Sequence, residues 1–381
     1  MSRRRGDAEP STSGELAEIA GAIPGLILRE RRSRVVYSAR MRPRPGTTRL
    51  ALILSVLAAP GRARAEPDPC DPNATVSPCF DADALWLPTG ATHFSTLPSA
   101  RPLATSASTL LFGAGVAYRP ALFEVPSPDP EGREVHVVDV TTTLTIGVGF
   151  GLGDGFSVSA ELPLVPYQTG TGTEGVTAQQ APPLGSAAVR DPRLGVAWTA
   201  LGANPDDAIA LAARLELVPP LGDEDVLAGA AGTTLAPGIA FEAETGRFIF
   251  GSEASLRLRR AVDFGTVRKG SEAALGAGAA LNVLSAPRLS VGLEAWIRPG
   301  LAGTPAGADP DALDLPAEWL ASSVFAWDPK GPFSLAAAGG SGLPLSKGSS
   351  ASGDGEWFSG VTAPAFRALV ALRFTPAPPT Y

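Results

Sequence analysis

The sequence predicts an all-β protein, an antiparallel transmembrane β-barrel of about twelve strands with short periplasmic turns and long extracellular loops. Three observations carry that expectation. A period of two recurs in segment after segment, short and long connections alternate, and aromatic rings gather toward one end of the strands.

Residues 138–152 show the period best. Val138, Val140, Thr142, Leu144, Ile146, Val148, Phe150 and Leu152 share one face, and Asp139, Thr141, Thr143, Thr145, Gly147, Gly149 and Gly151 share the other. Alternation held over about fifteen residues is a strand, far longer than the usual five or six. The turn Gly153-Asp154-Gly155 leads to a second strand with the same code: Phe156, Val158, Ala160 and Leu162 against Ser157, Ser159 and Glu161.

Composition agrees. Of 381 residues 44% are hydrophobic but only 18% charged, and 43 Gly with 37 Pro suit many short connections better than long helices. No run approaches the roughly 18 apolar residues of a transmembrane helix. Membrane residence must come from strands.

In chain order, residues 1–40 are expected to be a mis-called start or a removed leader without a fold, because Met41 stands where an export signal should begin. Residues 41–65 read as that signal peptide: Arg42, Arg44 and Arg49, the apolar run 50–59, then Ala63-Arg64-Ala65 as a cleavage pattern. The alternative, an anchor, needs a longer apolar run. Removing residues 1–65 takes the formal charge from −7 to about −15. No basic stripe remains for phosphates, so nucleic acid is excluded as a partner.

Residues 66–108 lack a sustained period and are read as an irregular periplasmic or plug segment. Cys70 and Cys79, just after an export signal, are expected to form a disulfide in the periplasm. The rival metal site lacks ligands, since the nearest histidine, His93, stands alone.

Residues 109–374 are the barrel. Leu110, Phe112, Ala114, Val116 and Tyr118 mark the first strand, and the hairpin above supplies the second and third. Leu194, Val196 and Trp198 mark the fourth against Arg193; Ile209, Leu211, Leu215 and Leu217 the fifth against Arg214 and Glu216. Leu235, Ile239 and Phe241 give the sixth against Glu242 and Glu244, and Phe248, Phe250, Leu256 and Leu258 the seventh against Glu253, Arg257 and Arg259. Leu275, Leu281 and Val283 mark the eighth; Leu289, Val291, Leu293 and Ile297 the ninth, facing away from Glu294 and Arg298. Trp319, Phe325 and Trp327 give the tenth, Phe333 and Leu335 the eleventh. Phe366, Val370, Leu372 and Phe374 close the barrel with Arg367 and Arg373 inside, before a tail at 375–381.

The charged faces must look inward, because Arg or Lys on the lipid face at the bilayer midplane costs about 2–4 kcal/mol. Arg193, Arg214, Glu216, Glu253, Arg257, Arg259, Glu294, Arg298, Arg367 and Arg373 are therefore expected to line the lumen and set selectivity. Phe150, Phe156, Trp198, Phe241, Phe248, Phe250, Phe325, Trp327, Phe333 and Phe374 share the apolar parity near the short turns and are expected to form a membrane aromatic girdle.

Other constellations are weaker. His136 near Asp139 would need a serine for acyl chemistry, and no G-x-S-x-G elbow occurs, so no catalytic residues are assigned. The run 147–153 is no phosphate cradle; its glycines alternate within a strand, leaving room for something in the lumen. The acids Asp309, Asp311 and Asp314, and Asp223-Glu224-Asp225, match no metal-loop spacing and read as solvated loops. Asn73-Ala74-Thr75 fits a glycosylation acceptor pattern but is expected to be idle.

Residues 190–198, Arg190-Asp191-Pro192-Arg193-Leu194-Gly195-Val196-Ala197-Trp198, resemble the GD-x-R-L-G strand of outer-membrane barrels in the phenol meta-pathway transporter family. The same strand recurs in the barrel half of certain outer-membrane-protein-A-like proteins from GC-rich Gram-negative bacteria. Residues 160–168 resemble that family's lP-x-x-x-y-Q-x-G segment, and residues 360–374 its closing strand. Arg190 stands where the motif has glycine. No peptidoglycan-binding domain is expected after the barrel. The resemblance implies a bacterial outer-membrane barrel and, in transporter members, passage of small, often hydrophobic, molecules.

The expected function is thus a passive channel or uptake pore for small solutes. The alternatives are a closed structural barrel whose outer loops bind surface partners or lipid headgroups, and a barrel lipid-modifying enzyme. Expected partners are outer-membrane lipid, the barrel-assembly machinery and a small-molecule solute; no cofactor or metal is expected.

Overall fold

The computed structural model describes residues 70, 76–83, 85–90, 93–125, 133–173, 184–204, 207–265, 267–303, 315–328, 331–346, 359–361 and 363–376. The expected leader and signal peptide, the Asn73-Ala74-Thr75 acceptor and the acids Asp309, Asp311 and Asp314 lie outside the described residues.

Twelve strands make a wall: β1 (Ser108–Val125), β2 (Arg133–Gly153), β3 (Phe156–Thr169), β4 (Arg193–Leu201), β5 (Ile209–Val218), β6 (Thr234–Thr245), β7 (Phe248–Arg257), β8 (Glu272–Ser285), β9 (Arg288–Ile297), β10 (Ala317–Ala326), β11 (Phe333–Leu343) and β12 (Phe366–Phe374). Each pairs antiparallel with the next, and β12 returns to β1, with Leu110 opposite Phe374 and Tyr118 opposite Phe366. Closure leaves the wall no edge, so its backbone amides and carbonyls are satisfied without water.

The turns 154–155, 246–247 and 286–287 lie at one end with connections 202–208 and 327–332. Loops 126–132, 170–192, 219–233, 258–271, 298–316 and 344–365 lie at the other. A period-two sequence puts its apolar set on one face of such a wall, and here that face is outside. Ile146, Ile239 and Leu293 are 48%, 54% and 60% exposed, while Glu294 and Glu318 are 1% and 0% exposed. A soluble sandwich would reverse both sets. The outer surface is built for hydrocarbon.

Phe150, Phe156, Trp198, Phe241, Phe248, Phe250, Trp327 and Phe333 are exposed on this outer face toward the short turns. Phe325 and Phe374 are half-buried there beside Trp327 and Phe333, with ring centroids 4.7 and 4.8 Å apart. A second exposed aromatic set, Tyr167, Trp319 and Phe366, lies toward the long loops. These three lie outside the expected girdle.

One consequence is direct. Leu293→Arg, at the middle of β9, should lower barrel stability in lipid by about 2–4 kcal/mol. Reversible urea unfolding from vesicles measures it; an unchanged midpoint would contradict a lipid-facing Leu293.

The long-loop mouth is closed by an apolar cap. Phe80, Ala82, Ala121, Val137, Leu227, Val262 and Phe264 pack there around Cys70 and Cys79, with Phe80 and Phe264 edge to face at 4.9 Å. Cys70 and Cys79 are disulfide-bonded. Backbone bonds tie the segment to the loops: Ser77 N–H donates to Asp263 O (2.8 Å) and Ala82 N–H to Leu227 O (3.0 Å). This corrects the expected periplasmic disulfide. By the rule that makes short turns periplasmic, it sits at the opposite mouth, because residues 76–107 run the length of the lumen to reach β1.

Candidate functional site: a filled lumen

The lumen is occupied by the described residues of the segment 76–107, and the inward charges of the wall hold them. Near the cap, Asp83 pairs with Arg190 (3.2 Å) and Arg367 (2.8 Å), and Arg367 also pairs with Glu318 (2.6 Å). Arg190 Nη1 donates to the carbonyl of Asp83 as well (3.1 Å). The residue that replaces the motif's glycine is therefore an anchor for the segment. Its neighbour Asp191 accepts amides of Leu221, Gly222 and Ala230 at 3.0, 2.7 and 2.8 Å, folding loop 219–233 over the mouth. Burial still holds the Asp191 carboxyl above the usual carboxylate range, against those amides.

Deeper in, Trp86 lies under the guanidinium of Arg257 at 3.7 Å and near that of Arg193 at 5.1 Å. Glu161 accepts the Thr89 amide (2.9 Å) and pairs with Arg193 (2.7 Å). Glu294 is the densest anchor. Its two oxygens accept the amides of Ser95 (2.8 Å), Thr96 (2.8 Å) and Leu97 (3.2 Å) and the hydroxyls of Ser95 and Thr96 (both 2.6 Å). Arg373 donates to the Ser95 carbonyl at 3.3 Å. At the short-turn mouth Arg101 pairs with Glu242 (2.7 Å) and donates to the carbonyl of Asp207 (2.7 Å).

Glycines mark the route. A methyl added at Gly113 would lie 2.7 Å from Leu87, at Gly147 2.8 Å from Thr89, and at Gly278 2.8 Å from both Leu97 and Phe94. Each is an inward position where the segment crosses close to the wall. The glycines of 147–151 do leave room for something in the lumen: the occupant is Thr89 and residues 103–104.

Among the described residues, three of the cavities lie beside the segment. The first lies under the cap among Asp83, Trp86, Arg190, Arg259 and Arg367. The second is bounded by Leu97, Glu216, Glu253, Trp296 and Arg298, and the third by Arg101, Ser157 and Thr199. Leu85, Trp86, Arg193 and Arg257 border both the first and the second; Pro98 and Arg214 border both the second and the third. Of the residues expected to line an open lumen, Arg193, Arg214, Glu216, Glu253, Arg257, Arg259, Arg298 and Arg367 border these cavities. Glu294 and Arg373 instead bind the segment, a correction forced by its presence.

Glu161 and Glu242, placed on the inward parity by the sequence but not among the expected lumen-lining residues, and Glu318, not named from the sequence, are all buried on the inner face and hold charged partners. Their parity was the available signal. His93 Nε2 lies 3.1 Å from Glu244, and these two with Glu242 could in principle hold a metal. Arg101, 2.7 Å from Glu242 and 3.5 Å from Glu244, already supplies the positive charge there. His136 lies 3.7 Å from Asp139, and the second group on that carboxylate is Arg119 at 3.7 Å, not a hydroxyl. Asp223 accepts the Val189 amide (2.7 Å), a loop brace.

A closed ring with a lipid-compatible exterior and an ionic interior defines a transmembrane β-barrel of the outer-membrane kind. No family model matches the chain, and no curated protein does. Among solved structures it is similar to the COG4313 outer membrane channel from Pseudomonas putida F1, at 12% identity and TM-score 0.48, over 72% of this chain and 97% of that one. The NanC porin (10% identity, TM-score 0.41, 70% and 98% covered) and a Pseudomonas aeruginosa FadL homologue (12%, 0.31, 71% and 90%) are also similar.

Proposed function

We propose that this barrel is a passive outer-membrane channel of a Gram-negative bacterium for small solutes, hydrophobic ones included, with residues 76–107 as its resident plug. One observation carries the reading: cavities bordered by shared residues follow one another from beneath the cap to the short-turn mouth. A barrel kept only as a scaffold has no use for that succession. The path is narrow and bordered by arginines, so conductance is expected to be small and anion-favouring. The two aromatic sets would seat the wall at both lipid interfaces.

In planar bilayers the purified protein should give small ohmic steps. Replacing Arg257 and Arg259 together with Ser should move the reversal potential in a salt gradient toward cation preference. Folded protein that stays silent would instead support the second reading, a closed structural barrel working through its outer loops. That reading has its own observation, the apolar cap over the long-loop mouth.

A further inference from the structure

Between Asp83 and Thr89 the segment passes from the first cavity to the second, and it is pinned at both ends. Asp83 is paired with Arg190 and Arg367, and the Thr89 amide donates to Glu161 at 2.9 Å. Between these anchors Leu87 packs on one wall of the lumen, against Leu111 of β1, Leu320 of β10 and Leu369 of β12. Trp86 meets the opposite wall. Its ring centroid lies 3.7 Å from the guanidinium carbon of Arg257 on β7 and 5.1 Å from that of Arg193 on β4. Two neighbouring side chains thus span the barrel from wall to wall.

The guanidiniums that hold the ring are themselves fixed, Arg193 by Glu161 at 2.7 Å and Arg257 by Glu272 at 3.2 Å. Cation–π attraction keeps an indole over such partners without locking it in place. Trp86 is half-buried, whereas Leu87, Pro88 and Thr89 beyond it are buried. The first and second cavities, each about 50 Å³, both border it. That volume holds a few waters. A larger solute has to displace a side chain at this level. The backbone is pinned and the arginines are held by carboxylates, so the indole is the part that can move.

We infer that Trp86 is the size-determining constriction of the channel. Its ring closes the junction of the two cavities, and solutes larger than water pass only when it swings off Arg193 and Arg257. The inference rests on the channel reading and adds the residue that limits what the channel admits.

Planar-bilayer recording of the full barrel carrying Trp86→Ala tests it, with free indole as the probe. The variant should conduct severalfold more than the wild type and admit larger anions. Indole should bind the variant about tenfold more tightly than the wild type, because the substitution leaves a hole of its shape beside two cations. Adding indole should also return the current to the wild-type level. A general loosening of the segment would raise the current too, but indole would not reverse it. Tetrafluorotryptophan at position 86 keeps the ring and weakens its attraction to cations, so openings should become more frequent. If Trp86→Ala does not fold, the fluorinated protein decides by whether its openings increase. Unchanged conductance in Trp86→Ala, or a raised conductance that indole leaves in place, would overturn the constriction and leave the channel standing. Current in the variant alone would support the constriction, with the ring as a complete closure. Silence of the wild type and of every variant would overturn the channel reading and the constriction with it.

Discussion

Glu294→Ala should raise single-channel conductance severalfold and loosen residues 93–97 in place. Five donors of the segment converge on this one carboxylate, which is 1% exposed. Hydrogen bonds to a charged acceptor are worth about 1.5–3 kcal/mol each when the partner is lost, though not additively. Removal also leaves the Ser95, Thr96 and Leu97 amides without that acceptor, so water must enter to solvate them. Faster hydrogen exchange across 93–97 together with larger current steps is the expected pair of results. Glu294→Gln should fall between, since one oxygen still accepts while its amide group opposes the remaining donors. Unchanged exchange and current in the alanine variant would mean that the segment is held elsewhere.

Asp83→Ala should be the most destabilising single change in the upper lumen. Asp83 is 4% exposed and lies between two guanidiniums, those of Arg190 and Arg367, each buried. Breaking a buried pair by removing one partner costs about 3–5 kcal/mol, because the surviving charge is left in a poor solvent. Arg367 retains Glu318 at 2.6 Å, whereas among the described residues Arg190 retains the backbone carbonyl of residue 83 at 3.1 Å and the carboxylate of Asp81 at 3.5 Å, so the larger loss of ionic pairing falls on Arg190. A lower temperature for the gel shift from folded to heat-denatured barrel is the readout. Adding Arg190→Gln to Asp83→Ala should recover part of the loss, a coupling that independent sites would not show.

The wall was legible because lipid imposes a rule on each residue: apolar at one parity, small or charged at the other. Ile146 against Thr145, or Leu293 against Glu294, states the face before any fold is known. The rim of Phe248, Phe250 and Trp327 was readable for the same reason. Tyr167, Trp319 and Phe366 were passed over because they stand singly at strand ends beside loops. The interior was harder. Residues 76–107 carry no period, since a strand of chain crossing a lumen meets a different partner at each residue. Inward parity announces that Glu161, Glu242 and Glu318 leave the lipid; it does not say what they grip. The inward glycines were one trace of the occupant in the sequence, and Arg190, at the position where the resembled motif has glycine, was another whose meaning needed Asp83 in view.

The course of residues 76–107 constrains how this molecule can be assembled. The segment joins β1 at the short-turn rim and ends among the loops of the far rim, so the finished object is a thread inside a ring. If the seam between β1 and β12 zipped first, the chain N-terminal to β1 would have to be drawn through a cylinder already crowded with arginines. Laying the thread across the open sheet and then sealing the seam avoids that passage. It also lets the contacts of Glu294 and Asp83 form while the sheet is still open.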